Sequence, residues 1–169
     1  TEIGKTFIPC ALLQHAQRLG LSAVGIKPIA AGTDAQGKND DVENIRAASS
    51  LKLPNEIINP YCFKAAVAPH IAALEEGAAI EFASIQEACD AARQQADLLI
   101  IEGVGGFRVP LGADGDSADL AVKLGLPIIF VVGLRLGCIN HALLSVEAIT
   151  ARKLPIAGWV ANCIDPDMA

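Results

Sequence analysis

Gly4-Lys5-Thr6 has the form in which a phosphate-binding loop ends, G-x-x-x-x-G-K-[ST]. The first glycine of that pattern would lie two positions before Thr1. In such a loop the free N–H groups of a helix start and the helix dipole draw in phosphate oxygens. The lysine pairs with the terminal phosphates and the hydroxyl binds Mg²⁺. The same tripeptide also suits a plain helix entry with a solvated lysine. Glu102 follows the aliphatic run "LLII" (98–101). A carboxylate there can reach a metal over the phosphates, because Mg²⁺ takes oxygen ligands and keeps several waters; it could equally be an edge carboxylate or a cap. Asp41, in "NDD", is either a further carboxylate of this kind or an ordinary first-turn helix aspartate. Lys27 ends "GIK" and can stabilise charge on a transferring phosphoryl group, or simply be solvated. Gly103, Gly105 and Gly106 let backbone approach a ligand closely, or form a flexible turn.

These residues need a scaffold. Ile8, Leu12, Ala16 and Leu19 follow helical spacing, with Gly20 as a stop. "SAVGIKP" (22–28) reads as a buried strand, 31–41 as a polar loop, and 41–50 as a short helix capped by Asn39 or Asp40. Residues 51–68 read as irregular around Pro54 and Pro60. "PHIAALEEG" opens on proline at a helix's first turn, and 81–96 form a second helix. "DLLIIEG" (97–103) is a strand, 104–116 a long loop, and "SADLAVKLG" a helix. "LPIIFVVG" (126–133) is a strand. The helix beyond it places Ile139, Leu143, Val146 and Thr150 on one face, and "LPIAGWVANC" (154–163) is a last strand. Strands alternating with helices imply a parallel β-sheet with helices on both faces, a three-layer α/β/α fold in a single domain. In such sheets ligands collect at the carboxyl ends of the strands, where the polar residues above fall. A phosphate loop normally follows a strand, which here would precede Thr1, so 1–169 reads as an interior portion of a longer domain.

Composition narrows the function. The 169 residues are 52% hydrophobic but only 4% aromatic, so the core must be aliphatic, as in strands buried on both faces. The net charge is −6, and no basic stripe suggests nucleic acid as a partner. No apolar run is long enough to span a bilayer. Cys10, Cys62, Cys89, Cys138 and Cys163 are odd in number and contain no C-x-x-C, so neither a disulfide framework nor a zinc site is expected. Most of them are expected to be small buried apolar residues in a reducing compartment. Ordinary structural roles are expected for His15, His70 and His141.

Taken together, "TEIGKT", "KPIAAG", "NDD", "NPYCF", the Pro69-His70 pair, "EGVGGFRVPL", "VVGLRLGCINHALL" and "GWVAN" resemble the dethiobiotin synthetases, P-loop ligases that close a ring in biotin synthesis. The stretches occur in the family's order and span essentially the whole chain, and "EGVGG" and "GLRLGCINHALL" are far more specific than G-K-T. The family's loop has one extra spacer residue, which puts its first glycine three places before Thr1.

The resemblance implies ATP as co-substrate and Mg²⁺ as cofactor. It also implies 7,8-diaminopelargonic acid and CO₂ as partners, a homodimer, and a cytoplasmic location without membrane or nucleic acid. Lys5 matches the loop lysine, and Lys5 and Lys27 would be the catalytic pair, Lys27 meeting both the reacting carbamate and the γ-phosphate. Thr6, Asp41 and Glu102 match the metal ligands. Glu2, Gly4, Lys5, Thr6, Glu102, Gly105 and Asn162 would contact nucleotide, with Asn162 at the adenine. Thr1, Glu2, Lys27 and Ala31 would line the substrate site. Gly137, Cys138, Ile139 and Asn140 match a helix start that holds the substrate carboxylate across the dimer interface. Ala31 stands where the family has a serine, with Thr33 as the nearby hydroxyl, and Val67 and Ala68 replace polar residues. Two other readings share the fold. One is a partitioning-type ATPase switch without an organic substrate, and the other a cobyrinate-type amidating synthetase domain.

Overall fold

The structure is a computed structural model that describes Ile3–Asp165. Thr1 and Glu2 lie outside the described residues, and with them the substrate and nucleotide contacts expected there.

The first half is built on two parallel strands, β1 (Ala23–Ile26) and β4 (Leu98–Ile101), with Ala23 opposite Leu98 and Ile26 opposite Ile101. Side chains alternate across a strand, and here the two sets enter different cores. Val24 and Ile26, with Leu99 and Ile101, pack among Ile58, Phe82, Ile85 and Cys89. Ala23, with Leu98 and Ile100, packs against Leu13 and Ala16. The first core is covered by α5 (Phe82–Arg93) and the second by α1 (Phe7–Arg18), so this part of the sheet carries helices on both faces. Gly25 allows the second core to close: a Cβ there would lie 2.6 Å from Ile45 Cγ2 and 2.8 Å from Leu13 Cδ1.

On α1 the buried residues are Pro9, Leu13 and Ala16. The expected Ile8–Leu12–Ala16–Leu19 face is therefore rotated by about one residue, and Leu19 is exposed. The helix packs into the angle between β1 and α2 (Asp40–Ala48), and that angle selects Leu13. Asn39 caps α2, its Oδ1 accepting from the Val42 N–H at 3.3 Å.

Segments given no strand or helix above hold short elements. They are β2 (Ile29–Ala31), α3 (Asn55–Ile58) and β3 (Tyr61–Phe63), with β2 and β3 paired in parallel. Within 104–116 lies an antiparallel hairpin, β5 (Pro110–Gly112) and β6 (Gly115–Asp116). Pro69 opens α4 (Pro69–Glu75). A reciprocal Asp116–Asp119 capping box starts α6 (Ser117–Leu124), and Gly125 in the left-handed region ends it.

The second half pairs β7 (Ile128–Leu134) with β8 (Ile156–Cys163), again in parallel, joined by α7 (Cys138–Ala151). Among the described residues the sheet is four separate two-stranded pairs rather than one continuous ladder. The β1–β4 and β7–β8 pairs meet through residues 3–6. A Cβ on Gly133 in β7 would touch Ile3 at 2.8 Å, and Asn162 in β8 donates to the Ile3 carbonyl at 2.9 Å. Thr6 then reaches Glu102 at the end of β4 and Asp41 in the first turn of α2.

Of the cysteines, only Cys89 is fully buried; Cys163 is exposed and the other three are half-buried, all of them free. The expectation of mostly buried thiols fails because Cys10 and Cys62 sit at the margins of the two cores, while Cys138 starts α7 outside both.

Candidate active site

Glu102 leaves β4 immediately after Ile101, its backbone N–H donating to the Ile26 carbonyl at 2.8 Å. Lys27 follows β1 in the same way, one strand over. Its backbone is clamped twice: its N–H donates to the Ile58 carbonyl at 2.9 Å, and its carbonyl accepts from Asn59 Nδ2 at 2.6 Å. Both side chains are almost wholly buried, each residue 5% exposed. Asp41 arrives from the first turn of α2, and Thr6 from the residue before α1.

The four side chains form a closed ring. Lys27 Nζ donates to Asp41 Oδ2 at 2.6 Å and to Glu102 Oε1 at 2.8 Å. Thr6 Oγ1 lies 2.8 Å from Asp41 Oδ1 and 2.9 Å from Glu102 Oε1. A hydroxyl has one proton, so it can satisfy only one of those carboxylates at a time. The buried Glu102 Oε2 has no hydrogen-bond partner. The cluster is thus rich in oxygen and short of donors, which suits a hard cation. Among the described residues no group of three or more His, Cys, Asp or Glu could hold a metal by itself. Two carboxylates and a hydroxyl instead fit a cation such as Mg²⁺, which takes few protein ligands and completes its shell with water and phosphate.

Electrostatics follow from this packing. Burial pushes the Asp41 carboxyl up, but hydrogen bonds from Lys27 and Thr6 and the charges of Lys27 and Lys5 outweigh it, leaving its pKa below the usual value. Burial lowers the Lys5 pKa and the Lys27 charge adds to that, against the opposing pull of Glu102 and Asp41. Lys5 is therefore a partly desolvated cation beside a carboxylate pair.

All five side chains line one cavity of about 720 Å³. Gly4, Ala31, Asn39 and Gly105 line it as well, and an apolar wall is formed by Ala66, Val67, Ala68, Pro69, Val104 and Val109. Gly105 has φ +63°, and a Cβ there would press on Val109 at 3.0 Å. Gly4 has φ +79°, and its Cβ would lie 2.2 Å from Asn162 Nδ2, so only glycine fits at this point of the loop. The cavity offers a charged floor for a polyanion and an aliphatic side for a hydrocarbon chain.

Other expected site residues lie apart from it. Asn162 stands at the start of the loop with its amide engaged by Ile3. Thr33 lines an adjoining cavity of about 390 Å³ with Asp34 and Lys38, not the larger one. Gly137, in the left-handed region at φ 89°, starts α7, but Gly137, Cys138, Ile139 and Asn140 do not line the cavity. Sequence reasoning missed Asn59, the buried amide that fixes the Lys27 backbone. The clue was a polar residue just before a proline in an otherwise apolar stretch. It also missed Asn39 as a lining residue, since its role as a helix cap hid a second one.

A family profile described as an AAA domain matches residues 1–168. The ATP-dependent dethiobiotin synthetase BioD of Aromatoleum aromaticum (strain DSM 19018 / LMG 30748 / EbN1) is 60% identical over 171 residues, covering 99% of this chain and 76% of that protein. A match of that identity and extent, on a chain whose glycine loop, strand-end lysine and two carboxylates meet in one cavity, places the chain in the dethiobiotin synthetase family.

Proposed function

We propose that this protein closes the ureido ring of dethiobiotin, using ATP, CO₂ and 7,8-diaminopelargonic acid. The observation that carries the reading is the meeting of Lys5, Thr6, Lys27, Asp41 and Glu102 in a cavity whose other side is aliphatic. A nucleotide switch has no use for that aliphatic wall; a diamine with a hydrocarbon tail does.

One amine of the substrate adds to CO₂, losing a proton to give a carbamate. A carbamate oxygen then attacks the γ-phosphorus of ATP and ADP departs, leaving a carbamic–phosphoric anhydride. The second amine attacks the anhydride carbonyl and gives up a proton, phosphate leaves with the C–O bond electrons, and the cyclic urea forms. ATP is required because oxide is a poor leaving group and phosphate a good one.

The protein's part is to position the reactants and neutralise charge, as phosphoryl transfer generally demands. Lys5 and the N–H groups at the start of α1 hold the terminal phosphates, with Gly4 and Gly105 giving backbone access. Lys27 stabilises the carbamate and the transferring phosphoryl group as two anions approach each other. Thr6, Asp41 and Glu102 would hold Mg²⁺, which would offset the negative charge of the phosphates. Ala31 leaves this part of the site without the side-chain hydroxyl that the family has there. Asn162, whose amide donates to the Ile3 carbonyl at the loop's start, would contact the adenine.

A homodimer completes the reading. On and just before α7, Leu136 is 92% exposed and Ile139 74%, with Leu143, Leu144 and Val146 also open. An apolar face of this kind marks an interface. It would bring Gly137, Cys138, Ile139 and Asn140 of one copy to the cavity of the other, where the N–H groups of a helix start suit the substrate carboxylate. The reaction is placed in the cytoplasm, in keeping with free cysteines among the described residues. No helix among those residues is long and apolar enough to cross a membrane.

The test is ADP release with Mg²⁺ and ATP. Release that requires both diaminopelargonic acid and bicarbonate is expected. Release that needs neither, or that needs glutamine and a corrinoid acid, would replace this reading with a switch or an amidating synthetase.

A further inference from the structure

Lys27 is bonded to the same two carboxylates, Asp41 and Glu102, that Thr6 also bridges. Its charge neutralises a buried glutamate and a half-exposed aspartate that one hydroxyl proton cannot both satisfy. A lysine that both touches the phosphoryl acceptor and bonds the metal's carboxylates has two partners and one ammonium. Once a divalent cation takes the oxygens of Thr6, Asp41 and Glu102, the ammonium meets a stronger cation on the same atoms and is driven off them. Lys27 has somewhere to go, because its backbone stays clamped by Ile58 and Asn59 while its flexible stem ends in the cavity.

We propose that the Lys27 ammonium and the divalent cation are alternative occupants of the Asp41–Glu102 carboxylate pair. Lys27 holds the two ligands together before the metal enters, and metal entry frees it for the carbamate and γ-phosphate. Metal loading and readiness of the catalytic lysine are then one event. This rests on the reading of Thr6, Asp41 and Glu102 as the metal ligands.

Competition has a sign that simple preorganisation lacks. Removing Lys27 should tighten binding of the metal alone, even though it destroys turnover. Mn²⁺ binding without nucleotide, read by electron paramagnetic resonance, should be on the order of tenfold tighter in Lys27→Gln than in the parent. Lys27→Gln should melt at lower temperature than the parent in chelator and recover more than the parent when Mn²⁺ is added. Adding Asp41→Asn should remove that gain. In the unsubstituted protein, lysine labelled with ¹⁵N at Nζ should show a protected ammonium signal that disappears on titration with Mg²⁺ alone. This second measurement stands if the variant does not fold. Equal or weaker Mn²⁺ binding in a folded Lys27→Gln, a gain that survives Asp41→Asn, or an ammonium signal indifferent to Mg²⁺ would each overturn the proposal. None of these readouts involves diaminopelargonic acid, so the ADP-release assay fails or succeeds independently of them.

Discussion

The β1–β4 half and the β7–β8 half share one local design, a parallel strand pair with a helical crossover, yet they treat apolar surface in opposite ways. All four residues of β1 are buried, and both faces of its pair are covered by helices of this chain. In β8 the residues alternate between exposed and half-buried, Trp159 lies open, and α7 has a single buried residue, Ile149. The first half closes its own cores and, at the ends of those strands, holds Lys27 and Glu102 rigidly enough to bury them. The second half turns aliphatic side chains outward, which is useful only if something else covers them. Rigid burial goes with the charge-handling site, and exposure with the face proposed to meet a second copy.

Substitutions in each half put that contrast to the test. The largest effect on activity is expected at the charged floor. Lys5→Ala should lower kcat/KM at least a hundredfold, about 3 kcal/mol of transition-state stabilisation, with a melting temperature near that of the parent; near-normal turnover would remove Lys5 from the reaction. Leu13→Ala should cost about 2–5 kcal/mol of stability in denaturant unfolding, and Gly25→Ala about 1–3 kcal/mol, because its Cβ would overlap Ile45 and Leu13. In the other half, Ile139→Asp with Leu143→Asp should leave stability almost unchanged yet shift the sedimentation coefficient to that of a monomer and raise KM for the diamine. A dimer that survives the pair would put the interface elsewhere.

A smaller effect concerns Asp116, which caps α6 and pairs with Arg108, and approaches Arg152 at 4.0 Å. Modest burial raises its carboxyl pKa, but the hydrogen bond from Arg108 and the backbone N–H groups of Asp119 and Ala118 outweigh this and lower it. Its contribution is therefore present above the unfolded carboxylate pKa and is lost as pH falls through the lower folded value. Asp116→Asn should flatten the acid limb of the stability profile while costing under about 1 kcal/mol at pH 7. The smallest effect is expected at Gly158 in β8, where a Cβ would meet nothing within 4 Å. Gly158→Ala should stay within about 0.5 kcal/mol of the parent, and its contrast with Gly25→Ala measures the difference between the halves.

How much of this was legible in the sequence follows the same divide. The apolar runs at 98–101 and 126–133 announced strands because they are short, rich in aliphatic residues and bounded by turn residues, and the carboxylate and lysine at strand ends followed from topology. Strands of three residues, such as β2 and β3, carry no period to detect. On α1 the aliphatic residues cover more than one face, so spacing did not distinguish Leu12 from Leu13; the packing of Ile45 and Gly25 did. Of the cavity's apolar wall only Val67 and Ala68 stood out, as replacements for polar residues; Ala66 and Val104 are unremarkable in any window and acquire meaning only from Lys5 and Glu102 across the space. Asn59 was hidden for a related reason, since its partners are backbone atoms that no motif encodes.

The central claim, that the charged cluster and the aliphatic wall form one synthetase site, is tested most directly with ¹³C-bicarbonate. The protein, ATP, Mg²⁺ and 7,8-diaminopelargonic acid should yield dethiobiotin whose ureido carbonyl carries the label, with one ADP per ring closed. Labelled carbamate without ring closure, or ADP formed with no labelled product, would contradict it.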